Sequence, residues 1–190
     1  VRWLRDWNEQ NPDDRVHVFG VDEQQAWKDV ELLLRTLSPF ADAAIIRGAL
    51  QQCEVIETPS ADQRSQCLAA IESAQNFLQE SHASGALSAS DLAEALLNAA
   101  SLHASQDSSY FRSIDDDRSD YEARDGFMHR AFLDRTERLY PGKKSIIWAH
   151  DGHLSKAYPE MMGAFGQGAR NFGTFLKESF GDSYYAVSLT

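Results

Sequence analysis

The sequence predicts an α/β layered domain with a mostly parallel sheet, a large helical insertion or cap, and an incomplete N-terminal side. Two observations predict it. Three short β-rich runs, "RVHVFGVD" (15–22), "SIIWAH" (145–150) and "SYYAVSLT" (183–190), are separated by long stretches of helical periodicity. Strands that alternate with helices form sheets whose crossover helices cover the faces. Three strands are few for a sheet covered on both sides. The helix-rich middle, about 22–107, therefore reads as an insertion between strands or a cap over one end of the sheet.

The elements follow in order. "VRWLRDWNEQN" spaces Trp3, Leu4 and Trp7 as a helix does and then meets Pro12, so it reads as the end of an amphipathic helix. The first strand ends at Gly20, which leaves Asp22 just beyond its carboxyl end. In "EQQAWKDVELLLRTL", Trp27, Val30, Leu33, Leu34 and Leu37 form one stripe that Ser38-Pro39 breaks. "FADAAIIRGALQQC" predicts a second helix of this middle region, and "SADQRSQCLAAIESAQNFLQESHA" a third with Ser60 as its N-cap. Gly85 separates that helix from "SASDLAEALLNAASLHASQ". The polar "DSSYFRSIDDDRSD" reads as a turn. Ser119 and Glu122 fit a capping box opening "YEARDGFMHRAFLDRTERLY", which Pro141-Gly142 ends. A strand, the loop "DGHLSKAYPEMMGAFGQGARN", the helix "FGTFLKESFG" and a last strand complete the chain.

Composition excludes several classes of partner. The 190 residues are 43% hydrophobic and 25% charged, ordinary for one globular domain. With 29 acidic against 18 basic residues the formal charge is −11, and the longest basic cluster is Lys143-Lys144. Nucleic acid and anionic membrane are therefore not expected partners. No apolar run is long enough for a transmembrane helix. The chain starts at Val1 without the basic and apolar regions of a signal peptide, which predicts a processed chain or a piece of a longer one. The cytoplasm is the expected compartment, with a secreted or periplasmic protein as the alternative. Cys53 and Cys67 are either two half-buried thiols or one bridge closing a helical corner, and a bridge would imply an oxidising compartment.

In open α/β sheets, sites form at the carboxyl ends of strands. His150 would occupy such an end, with Asp151-Gly152 making a turn before His153, and Asp22 would hold the equivalent place on the first strand. A carboxylate that holds one imidazole nitrogen fixes the tautomer and leaves the other nitrogen to take a proton from water. The plainer account makes these residues a hydrogen-bonded strand end. His-x-x-His could also hold zinc, although no third ligand is nominated, and the consecutive Asp115, Asp116 and Asp117 point in different directions. Arg124 shares a helix face with Met128 and Ala131, so it must either bridge helix to sheet or serve a pocket as an oxyanion or carboxylate ligand. The chain has no Gly-x-Ser-x-Gly elbow, phosphate loop or dinucleotide fingerprint, and no cofactor is expected. "GAFGQGARNFG" reads as a flexible loop near the site.

Four segments together resemble the erythromycin esterase family. "IIWAHDGHLSK" is similar to its Trp-Ala-His-Asn-x-His segment and "RVHVFGVD" to its strand ending in Gly-x-Asp. "YEARDGFM" is similar to its Arg-Asp-x-x-Met helix, and "MMGAFGQ" with "FGDSYYAVSLT" to its Met-Gly loop and closing strand. The resemblance implies that 1–190 forms one α/β hydrolase-like domain, a fragment carrying the helical insertion. It further implies metal-independent hydrolysis of an ester by activated water, in the best-known members the macrolactone of macrolide antibiotics. Carried over, His150 is the catalytic imidazole, and His153, Arg124, Asp22 and Asp151 bind substrate or support the site. Asp151 stands where the family has Asn, and Ala131 where a second Asn is expected. The family's Gly-Glu-x-x-His segment, which carries its principal general base, has no match here. The expected partners are thus a small-molecule ester and the N-terminal part of the same protein, and this chain alone is expected to be inactive. The alternatives are a non-catalytic ligand-binding module on the same scaffold and a histidine-based metallohydrolase.

Overall fold

The computed structural model describes residues 2–22, 26–53, 58–155 and 170–187, and leaves the side chains of Asp117, Leu139 and Asp151 undescribed. Eight α-helices run through these residues: α1 Arg2–Gln10, α2 Ala26–Leu37, α3 Ala44–Leu50, α4 Ala61–Ala83, α5 Ala89–Ser113, α6 Asp117–Leu133, the single turn α7 Asp151–Leu154, and α8 Phe172–Phe180. Helix α6 continues as a π-helical segment, Asp134–Leu139.

The stripe predicted on α2 is real. Val30, Leu33 and Leu37 are buried against Leu50 of α3, Ile71, Ala74 and Leu78 of α4, and Ala95, Ala99 and Leu102 of α5. Alanines at these positions let the helix backbones approach closely, so α2–α5 form a bundle with an aliphatic core. The caps fit the same pattern. Ser60 and Gln63 make a reciprocal capping box at the start of α4, and Ser88 accepts the Asp91 amide at the start of α5. Gly85 turns the chain between them at φ 80°. Cys53 and Cys67 are joined in a disulfide, with Cα atoms 5.4 Å apart, which ties the end of α3 to α4.

A second cluster lies beyond the bundle. Met128 and Phe132 of α6 pack on Phe172 and Leu176 of α8, and Phe19, Val21, Ile147, Leu154 and Tyr184 cover them. Ala104, Phe127 and Ala131 join the two clusters across the α5–α6 contact. Asn8 of α1 fastens the first extended run, donating to the Val16 carbonyl at 2.9 Å and accepting its amide at 2.8 Å.

The α/β expectation is overturned. Among the described residues there is no strand and no sheet, so the helical middle is not an insertion in one. The runs 15–22, 145–150 and 184–187 lie outside regular structure, and none enters a ladder of backbone hydrogen bonds. Their alternation is nonetheless used. Phe19, Val21, Ile147 and Tyr184 rest on the second cluster, whereas Val18 is 79%, Ile146 97% and Tyr185 80% exposed. Period-two hydrophobicity encodes a segment with one apolar side toward the helices; strand pairing requires a neighbour that alternation cannot specify. Residues 188–190 of the predicted last strand lie outside the described residues.

Two boundaries also differ. Helix α5 runs through the predicted turn to Ser113, because Tyr110 and Phe111 there stack with the Arg64 guanidinium of α4. Asp116, not Ser119, caps α6 and accepts the Ser119 amide. The acidic triplet is thus in part a helix start, where negative charge is favourable.

Candidate active site

The segment after the second apolar run does not remain a loop. Residues 151–154 close into α7, with the His153 amide donating to the His150 carbonyl at 2.9 Å. Buried Asn171 holds this turn from outside. Its Nδ2 donates to the carbonyls of Gly152 at 2.8 Å and Ser155 at 3.0 Å, while its Oδ1 accepts the Thr174 amide and hydroxyl as the N-cap of α8. The Tyr184 hydroxyl adds a bond to the Leu154 carbonyl at 2.6 Å. Gly173 permits the close approach, since a Cβ there would run into the backbone of Leu154.

This clamp sets His153 against α6. His153 Nδ1 lies 2.8 and 3.0 Å from the two oxygens of Asp125, a fully buried carboxylate that also accepts the Phe172 amide at 2.8 Å. An ionised carboxylate only accepts, so Nδ1 carries the hydrogen and Nε2 keeps a lone pair. His150 has the opposite arrangement. Its Nδ1 accepts the Gly152 amide at 3.0 Å, so the neutral ring carries its hydrogen on Nε2. The Nδ1 contacts thus give the two neutral rings opposite tautomers, Nδ1–H in His153 and Nε2–H in His150.

Both rings line an open cavity of about 1320 Å³ bounded by the two apolar runs and by α2, α5 and α6. Arg124 and Asp22 line it as well, joined by bonds from Nε and Nη2 to the two carboxylate oxygens at 2.9 and 2.7 Å. The bidentate pair spans 102 positions of sequence and fixes the end of the first extended run to α6. Arg124 therefore bridges a helix to an extended segment, where the sequence predicted either a helix-to-sheet bridge or a pocket ligand. Asp29 of α2 borders the same cavity and accepts the hydroxyl of buried Ser101 at 2.7 Å. Burial pushes its carboxyl up to about 6, opposed by the Ser101 hydrogen bond.

Of the predicted site residues, His150, His153, Arg124 and Asp22 thus border one cavity. Asp151 opens α7, and its side chain is outside the described set. The glycine-rich loop and "MMGAFGQ" fall mostly or wholly in 156–169 and lie outside the described residues. The sequence reading did not nominate Asp125, Asn171 or Asp29. Asp125 had a signal, being an ionisable residue beside glycine in a segment otherwise bound for the core. Among the described residues, no three histidine, cysteine or carboxylate side chains gather in a way that could hold a metal ion. No helix among them is long and apolar enough to cross a membrane.

A helical scaffold, an open cavity and a carboxylate-held imidazole characterise the site, and the family match that follows makes the chain a member of a hydrolase-like family. The erythromycin esterase family model matches residues 1–190, and the chain belongs to that family. A crystal structure of a Bacillus cereus protein is similar in fold, with a TM-score of 0.68 and 21% identity over 96% of this chain. The chain spans 46% of the length of that protein. No curated protein matches the sequence.

Proposed function

We propose that the protein hydrolyses a carboxylic ester by activating water, with His153 as the proton acceptor that this chain supplies. The observation carrying the proposal is the contact of His153 Nδ1 with buried Asp125. Water adds to the ester carbonyl as its proton passes to His153 Nε2. The carbonyl oxygen, now an oxyanion, takes a hydrogen bond from His150 Nε2. Collapse of the tetrahedral species breaks the bond to the alkoxide, which recovers the proton from His153 and leaves as the alcohol. Arg124, held by Asp22, presents guanidinium N–H groups at the cavity wall. A base contributed by a Gly-Glu-x-x-His segment elsewhere in the polypeptide would share the proton transfers.

The cavity is larger than the usual small-molecule pocket of about 300–1,000 Å³, which supports a bulky ester such as a macrolactone. Opening that ring would inactivate a macrolide antibiotic. The Cys53–Cys67 bridge supports an oxidising compartment over the reducing cytoplasm. The partners proposed are the ester and the remainder of the polypeptide, without nucleic acid or membrane.

The test uses the full polypeptide carrying this sequence, assayed on a macrolide and a simple aryl ester. His153→Gln should lower kcat by about 10² to 10⁴, and His150→Ala should act on kcat through loss of the donor. Turnover unchanged by either substitution would sink the proposal. Saturable binding without turnover would leave a ligand-binding module in its place.

A further inference from the structure

We propose that Ser179 and His129 form a second reactive site, a nucleophilic serine with its proton acceptor, which takes the acyl group from aryl esters and thioesters. The site lies on the outer side of α6 and α8. It goes beyond the hydrolase proposal and does not rest on it.

A hydroxyl within a helix can satisfy itself on the carbonyl four residues earlier, as those of Ser73 and Thr136 do. Ser179, exposed in the last turn of α8, instead meets His129 of α6. Its Oγ lies 2.8 Å from Nε2, a contact that spans 50 positions of sequence. A neutral ring with its hydrogen on Nδ1 leaves Nε2 to accept the hydroxyl proton. That separation is the reach a serine and its base need for nucleophilic attack.

The surroundings hold the pair in this arrangement. The His129 ring stacks on Phe175 of α8, with 5.4 Å between centroids and 18° between planes. The Arg170 guanidinium covers Phe175 in turn, 4.1 Å from its centroid, and is paired with Glu178. One helix thus carries both Ser179 and the ring that sets the plane of its base. Burial first, and then the Arg130 charge, hold the imidazole below its ordinary 6.5; Arg170 acts in the same sense, and Glu178 and Glu137 oppose them. His129 is therefore neutral at pH 7 and competent as a base. The positive charge of Arg130 that acts on the ring also favours an oxyanion formed beside it.

In the step proposed, Ser179 Oγ bonds to the ester carbonyl carbon as its proton passes to His129 Nε2. The tetrahedral species then breaks its bond to the aryl oxide or thiolate. That group takes the proton from His129 and departs as the phenol or thiol, leaving acyl-Ser179 and a neutral imidazole. Aryl and thiol leaving groups suit the site because they depart readily with one proton donor. None of His129, Arg130, Phe175 and Ser179 borders the cavity, so the step draws on neither His150 nor His153.

The experiment treats the full polypeptide with p-nitrophenyl acetate near neutral pH and maps acetylation by peptide mass spectrometry. Ser179 should acetylate about 10²-fold faster than other exposed serines, the lower end of what a positioned base contributes. His129→Gln should remove that advantage. Ser179→Ala should delete the adduct without moving the denaturation midpoint. In the unaltered protein the rate should fall as acid protonates His129, at a pH below 6.5. Acetylation of Ser179 no faster than that of other serines, or labelling indifferent to His129→Gln, would overturn the site. Macrolide hydrolysis is assayed separately. Failure of labelling in a protein that hydrolyses macrolides would remove this site alone, and labelling in a protein that hydrolyses none would leave it standing without the hydrolase proposal.

Discussion

The α2–α5 bundle and the region around α7 and α8 are stabilised by different means. In the bundle, Leu33, Leu50, Ile71, Leu78 and Leu102 fill a mainly aliphatic core, and serine caps complete the starts of α4 and α5. Around α7, a four-residue turn too short to stand alone is held by Asn171, Tyr184 and the chain Phe172–Asp125–His153. Apolar packing tolerates small shifts because it is non-directional. The polar clamp fixes an imidazole to within a hydrogen-bond length, which proton transfer requires. The difference teaches that one half supplies stability and the other spends it on placing polar groups in the interior.

Four changes would break or sharpen that contrast. The largest effect belongs to the bundle. Leu78→Ala should cost about 2–5 kcal/mol in chemical denaturation while leaving the kinetics of the proposed ester hydrolysis unaltered in the folded fraction. A matching fall in kcat would show that the two halves are coupled. Next, reduction of the Cys53–Cys67 bridge should cost about 3 kcal/mol, the amount expected from a closed loop of this size. The readout is the denaturation midpoint with and without reductant, and no change would mean that the bridge does not constrain the unfolded chain.

Asn171→Ala should cost about 2 kcal/mol, since it removes the Nδ2 bonds to the part-buried Gly152 and Ser155 carbonyls and the N-cap of α8. It should also accelerate amide exchange around α7 and lower kcat more than the bundle change does. Normal activity would show that the clamp does not position His153. The smallest effect has the opposite sign. The folded carboxyl of Asp29 lies at about 6 against an ordinary 3.8, so the folded state binds this proton more tightly than the unfolded chain. Its charge therefore costs stability above pH 6, and the cost fades as pH falls through 6 toward about 4. Asp29→Asn should stabilise the protein at pH 7 by about 1 kcal/mol after allowance for solvent screening. The gain should shrink over that window in melting curves of the two proteins. A constant gain at all pH values would refute this assignment.

Helix positions were legible where packing obeys a period. Val30, Leu33 and Leu37 appear as a stripe in sequence and as a buried face in space. Ser60 announced its cap, and Gly85 its turn. The apolar runs were legible as segments with two unlike sides, but the sheet inferred from them is not present among the described residues. For the site, "WAHDGH" and "EARDG" marked the right neighbourhoods. The partnership of Asp125 with His153 was not readable, because it joins positions 28 apart through a turn whose geometry Asn171 imposes.

The sequence by itself determined the amphipathic helices, the Ser60 cap and the net negative charge, the first two because they depend on residues within a few positions of one another and the last because it is a sum over residues. Only the tertiary structure decided which carboxylate meets which cation or imidazole: Asp22 with Arg124, Asp125 with His153, and Asp29 with a hydroxyl instead of a charge. Side-chain pairing across the fold depends on how whole helices pack, and periodicity carries no record of that.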